Sequence, residues 1–276
     1  MKSTIRFFSA VCITLLIAGS IFTGCKKNDN PVTDETVVTT DEVAYAVSDA
    51  LASNNGGAID QVNDVFEIAG GAGVGGGEAL GKAYGDSTLL KFNANDTSWS
   101  LYIYRARAIG WWSRTYWHQF IGSNGKAQQS RVGAVTVKHK IVSGSGHFQT
   151  LRLIHDLTSL SSNWTANLNA DTTVTINGTY ARSGRDSVIL GTRKGSKFVS
   201  ALSLTFTDVK GPRGSRMNRS EKTSGKIEGV HTATVTVPGK APFTITKTFT
   251  ITLGGGSATF TIDGTKFTAD LSTGNY

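Results

Sequence analysis

The chain has 276 residues, 28 Lys plus Arg against 20 Asp plus Glu, and a formal net charge of +8. Its two cysteines, Cys12 and Cys25, exclude a scaffold built on disulfides. Charge is unevenly placed, with 12 acidic and 2 basic residues over 28–96 but 8 acidic and 22 basic residues over 97–276.

The first element is a leader. Lys2 and Arg6 precede an uncharged run from Phe7 to Gly24, the charged-then-apolar order of a secretory signal. Ser9, Thr14, Gly19, Ser20 and Thr23 interrupt that run, which disfavours a membrane-spanning helix of about 20 apolar residues. The stretch Ile21-Phe22-Thr23-Gly24-Cys25 resembles a bacterial lipobox, with Phe22 where the usual pattern prefers Leu. With the polar sequel Lys26-Lys27-Asn28-Asp29-Asn30 it resembles the start of Bacteroidota outer-membrane and cell-surface lipoproteins. The resemblance covers about the first 30 residues and implies a diacylglycerol thioether on Cys25, cleavage before Cys25 and acylation of the new amine, as with palmitate. The mature chain would then hold the outer membrane through acyl chains, since each buried methylene contributes about 0.8 kcal/mol. It would also lack any thiol for catalysis or metal binding, because Cys12 leaves with residues 1–24. Residues 25–39, polar and containing Pro31, read as a flexible tether.

Two helices and a glycine run follow. Thr40 or Asp41 can cap a helix with Val43, Ala46, Val47, Ala50 and Leu51 on one stripe, ended by Ser53-Asn54-Asn55-Gly56-Gly57. A second helix is predicted from about 59 to 69, with Ile59, Val62, Val65, Phe66 and Ala69 on one side. Residues 70–81 are glycine-rich, and Gly71, Gly73 and Gly76 spell G-x-G-x-x-G. The match lacks the preceding strand and βαβ unit of a dinucleotide site, so the segment reads as a linker.

From Leu89 the hydrophobic period becomes two. In residues 243–253 Phe243, Ile245, Phe249, Ile251 and Leu253 alternate with Thr244, Thr246, Thr248, Thr250 and Thr252, and the same split recurs over 230–237 and 172–180. One dry and one wet side per strand is the mark of an antiparallel sheet covered on one face. Asp263-Gly264 predicts a type I′ hairpin, and glycines at 122–125 and 254–256 predict others. About ten to twelve strands are expected near 88–94, 98–107, 110–121, 130–142, 146–157, 163–169, 172–182, 197–209, 226–238, 243–253, 257–262 and 265–271. The predicted fold is mainly β: one large curved antiparallel meander, open or an incomplete barrel, with the N-terminal helices partly filling its concave face. Residues 40–276 then form a single β-rich domain.

Candidate chemistry is sparse. No pair of the five histidines, His118, His139, His147, His155 and His231, has a metal-site spacing, although the middle three stand eight apart. Asp156, Asp171, Asp186 and Asp208 read as turn and strand-end residues, and no G-x-S-x-G elbow is present. No catalytic residue, cofactor or metal is assigned. Four of five tryptophans fall within nineteen residues: Trp99, Trp111, Trp112 and Trp117, joined by Tyr102, Tyr104 and Tyr116. They are candidates to stack on sugar rings or cover acyl chains, with Arg105, Arg107 and Arg114 to meet anions, or alternatively to fill a wide sheet's interior. Arg213, Arg216 and Arg219 are candidate anion binders, or the solvated end of a hairpin. The uneven charge fits a polyanion partner or an acidic N-terminal part lying against a basic sheet. For an exported protein nucleic acid is set aside. Membrane contact through the lipid is expected, with a glycan, a lipid or an envelope protein as partner. Three functions stay open: a non-enzymatic binding or structural module, a carrier of an apolar ligand in the sheet concavity, and a carbohydrate-binding or glycan-processing protein.

Overall fold

The computed structural model describes residues 40–71, 87–190, 194–214 and 219–276. Two helices come first, α1 (Thr40–Leu51) and α2 (Ala58–Gly70). Strands β1 (Ser87–Asn93), β2 (Ser98–Arg107), β3 (Gly110–Gly122), β4 (Ala127–Gln128), β5 (Ala134–Gln149), β6 (Leu153–Leu168), β7 (Thr173–Val188) and β8 (Lys197–Pro212) follow. A single-turn helix α3 (Arg219–Lys222) precedes β9 (Ser224–Thr236), β10 (Phe243–Gly254), β11 (Ser257–Ile262) and β12 (Thr265–Asp270).

All strands join one antiparallel sheet in chain order, with the two-residue β4 paired only to β3. Hairpins between neighbours build it. Asp263 and Gly264 take φ of 50° and 82° between the paired Ile262 and Thr265, which is the type I′ geometry that Asp-Gly favours. Among the described residues β1 and β12 each have one neighbour, so the sheet does not close.

Its curvature follows from what the helices touch. From β2 to β8 the path crosses five strand spacings, about 24 Å if laid flat. Yet α2, a rod of about 10–12 Å, meets Arg105 of β2 through Asp60 and puts Phe66 against Gly211 of β8. The sheet therefore wraps the helix. Consequently α2 is buried almost all round, including Gln61, Asp64, Glu67 and Ile68, beyond the single stripe that its periodicity predicts. Helix α1 spans from the turn after β5, where Tyr45 and Thr150 share a hydroxyl hydrogen bond of 2.9 Å, to the β11–β12 turn, where Thr40 Oγ1 donates to Asp263 at 3.1 Å. Gly71 caps α2 in the left-handed region (φ 102°), its N–H returning to Glu67 and Ile68. The remainder of the G-x-G-x-x-G run lies outside the described residues.

One strand assignment needs correction. Residues 134–168 are two sixteen-residue strands with a turn at 150–152, where the sequence reads three. Gly144, in the expected gap at 143–145, and Gly146 sit inside β5: a Cβ on Gly144 would stand 2.7 Å from Leu160 Cδ2, and one on Gly146 would stand 3.0 Å from Trp112 Cβ. Glycine there admits large inward neighbours on adjacent strands.

Candidate functional site

Strand alternation divides the aromatic cluster. Trp99, Trp112 and Tyr116 point inward and are buried, whereas Tyr102 and Trp111 point outward at 39% and 37% exposure, with Tyr104 and Trp117 half-buried beside them. The candidate ligand-binding set is thus two sets on opposite faces. The inner three belong to the core: Tyr116 donates its hydroxyl to Asp64 at 2.6 Å, Trp112 Nε1 donates to Asp60 at 3.2 Å, and Trp99 Nε1 donates to the Gln129 carbonyl at 3.0 Å. The outer four stay together. Tyr104 and Trp111 stack with centroids 6.0 Å apart and planes 23° apart, and Lys140 Nζ stands 5.1 Å from the Trp117 ring centre.

Beneath β2 and β3, Arg105 and Arg114, expected to face a ligand, face α2 instead. Arg105 bridges Asp60 at 2.6 Å and Asp64 at 2.5 Å, while Arg114 meets Asp60 at 2.7 Å and donates also to the Gly56 carbonyl. Burial pushes the Asp60 carboxyl up, but Arg105 and Arg114 outweigh it and hold it below its ordinary value. Burial raises Asp64, with Asp60 and Glu67 adding to it against Arg105. Two guanidiniums against two carboxylates make a charge-balanced clasp between helix and sheet.

A second polar group lies under α1. Asp186, buried near the end of β7 as a strand-end residue, joins His155 Nδ1 through one oxygen and accepts from Ser200 Oγ at 3.1 Å through the other. His155 Nε2 takes Arg182 Nη2 at 2.5 Å, and Arg182 reaches the Ala50 carbonyl of α1 at 3.5 Å. Gly184 makes this possible, since its Cβ would stand 2.5 Å from His155 Cε1. Histidine, aspartate and serine meet here in an order that activates nothing: the serine is bonded to the carboxylate, and the imidazole lone pair is taken by an arginine. Asp49 of α1, held by Asn55 at 2.5 Å, faces the group, and burial pushes its carboxyl up to about 7, with Arg182 acting the other way and Asp186 adding to the rise. His231 lines the same crevice with its Nδ1 unpartnered, and burial lowers its imidazole to about 4.

The remaining histidines do not gather. His147 faces outward and hydrogen-bonds Asp156 at 2.6 Å. His118 and His139 are opposite one another on β3 and β5, fully buried among Tyr116, Phe120 and Trp164, with no hydrogen bond to either ring. Burial keeps them neutral, lowering His118 to about 4 and His139 to about 3. Among the described residues no three His, Cys, Asp or Glu side chains are placed to share a metal ion. Asp171 is a turn residue as expected, paired with Lys210 at 2.8 Å. Of the candidate anion binders, Arg213 directly follows β8, with its backbone N–H on the Thr172 carbonyl at 3.0 Å and its side chain half-buried. Arg216 lies outside the described residues, and Arg219 opens α3. Cys25 and the segments read as leader and tether also fall outside the described residues. Among those described, no helix is long and apolar enough to cross a membrane.

No family model, no curated protein and no solved structure matches this chain.

Proposed function

We propose that the protein is a lipid-anchored component of the outer membrane that acts as a non-enzymatic binding module through the water-facing side of its sheet. The observation that carries this reading is the sealing of the other side. Two helices and two buried ionic groups occupy the concavity, and the two crevices beneath α1 each hold only about 20 Å³ of free space, close to what one water molecule needs. Among the described residues these two crevices are too small for an apolar cargo, which favours the binding module over the carrier. Binding is left to the outer face, where Tyr102 and Trp111 stay partly exposed.

Anchoring rests on the Gly24-Cys25 junction and its flanks. Expression of the full chain with alkyne-palmitate should label the protein and bring it to the outer-membrane fraction, and Cys25→Ala should abolish both. An unlabelled wild-type protein released to the soluble fraction would refute the anchor.

A further inference from the structure

We propose that the outer aromatic strip of β2 and β3 binds an anionic polysaccharide laid along β3. This deepens the binding-module reading and rests on it only for the choice of a glycan.

The strip has the form of a track. Trp111 and Trp117 lie on the same face of one strand six residues apart, about 20 Å of extended chain. Tyr104 and Tyr102 fill the interval from the adjacent strand, opposite Ser113 and Thr115. Four rings in line along a rigid strand suit an extended polymer of flat units better than a compact ligand, which would need a pocket. Hydroxyls border the rings, with Ser113 facing Ser145 at 3.0 Å and Thr115 opposite Ser143, so hydroxyl-rich units find donors and acceptors beside the stacking surface.

Charge selects the kind of polymer. Lys91, Ser100, Trp117 and Lys140 form one cross-strand row, and Lys138 is exposed two residues before Lys140. At that end the Asp96 carboxylate, hydrogen-bonded by Ser98 at 2.6 Å and by Trp117 Nε1 at 3.4 Å, keeps its negative charge, one against the three lysines. At the other end Asp156 is engaged by His147. The lysines thus set a positive flank for carboxylate or sulfate groups carried at intervals along a chain. Single-stranded nucleic acid presents related chemistry, a stacking face with an anionic backbone, and the assay separates the two.

The full chain in detergent is titrated by calorimetry with polygalacturonate, chondroitin sulfate, the neutral glucan laminarin and a twenty-residue oligothymidylate. Binding to polygalacturonate or chondroitin sulfate is expected, the better of the two identifying carboxylate or sulfate as the group read. That affinity should fall about tenfold or more in Trp111→Ala/Trp117→Ala and weaken in 0.5 M salt. Lys140→Gln should reduce it severalfold, and Trp117→Phe should restore most of what Trp117→Ala loses. Equal affinity of the double variant, tighter binding of laminarin or of the oligothymidylate, or no binding of either acidic glycan would each overturn the proposal. Circular dichroism and the thermal midpoint check that the variants fold. A labelled, membrane-bound protein that ignores acidic glycans would retire the strip and leave the anchor, whereas a soluble protein that binds them would do the reverse.

Discussion

Two buried ionic groups hold the two helices to one sheet, and they differ in charge balance. Under α2, Asp60 and Asp64 face Arg105 and Arg114, one guanidinium for each carboxylate. Under α1, Asp49 and Asp186 share Arg182 alone, and the imidazole between them stays neutral because burial, with Arg182 beside it, lowers its affinity for a proton. Burial pushes a carboxyl up in both places, Asp64 in the first and Asp49 in the second, while Asp60, in contact with both guanidiniums, is held below its ordinary value.

The sharpest way to break the comparison is to unbalance the clasp. Asp64→Ala should cost about 3–5 kcal/mol in urea unfolding, because it leaves buried guanidinium without its partner, and a loss below about 1 kcal/mol would show that water reaches the site. Next comes pH. The folded Asp49 carboxyl titrates at about 7, above the unfolded value of about 3.9. Its contribution is therefore fully present below about pH 4, is lost as pH rises toward 7, and stays lost above. Asp49→Asn should match the parent near pH 4 and exceed it by up to about 4 kcal/mol at pH 8. His118, His139 and His231 slope the other way, since folded values of about 4, about 3 and about 4 lie below the unfolded value. They remove stability as pH falls below about 6.5, so Asn at position 49 should also steepen the acid limb. Unchanged pH profiles would contradict both assignments. A smaller effect is expected from Gly184→Ala, about 1–3 kcal/mol by overpacking against His155, accompanied by a shift in the His155 ring resonances. Trp111→Ala, outward and 37% exposed, should cost clearly less than its inward neighbour Trp112→Ala, which should lose about 3–5 kcal/mol.

Much of the architecture was legible because alternation and turn chemistry are local. The Phe-Thr-Ile-Thr pattern of β10 and the Asp263-Gly264 turn give strand direction, faces and connection without knowledge of distant residues. The helices were legible from their stripes and stop signals, but the depth of α2 was not, since burial on all sides depends on a sheet folding round it. The break expected between 142 and 146 is absent for the same reason: whether Gly144 interrupts a strand or admits Leu160 is decided across the sheet. At the candidate site, the rule that separates inner from outer aromatics was already in the sequence, because Trp111 and Trp112 must face opposite ways on one strand. Which face carries the helices, and hence that Arg105 and Arg114 answer to Asp60 and Asp64, required the three-dimensional pairing of segments 41 to 54 residues apart.

The seam between α1 and the far margin of the sheet has a consequence for the order of folding. Every strand pairs with a neighbour in sequence, so the sheet can zip from hairpin to hairpin with short loops at each step. The contacts Ser53 to Leu271, Thr40 to Asp263 and Tyr276 to Asp41 are of another kind, joining residues more than two hundred positions apart. Closed first from an open chain, such a loop would cost about 5 kcal/mol in entropy, but closed after the zipper has run it costs little, because the sheet has already carried β12 round to α1. The seam is therefore the last bolt of the assembly, and until it is shot the earliest helix of the domain has half of its socket missing.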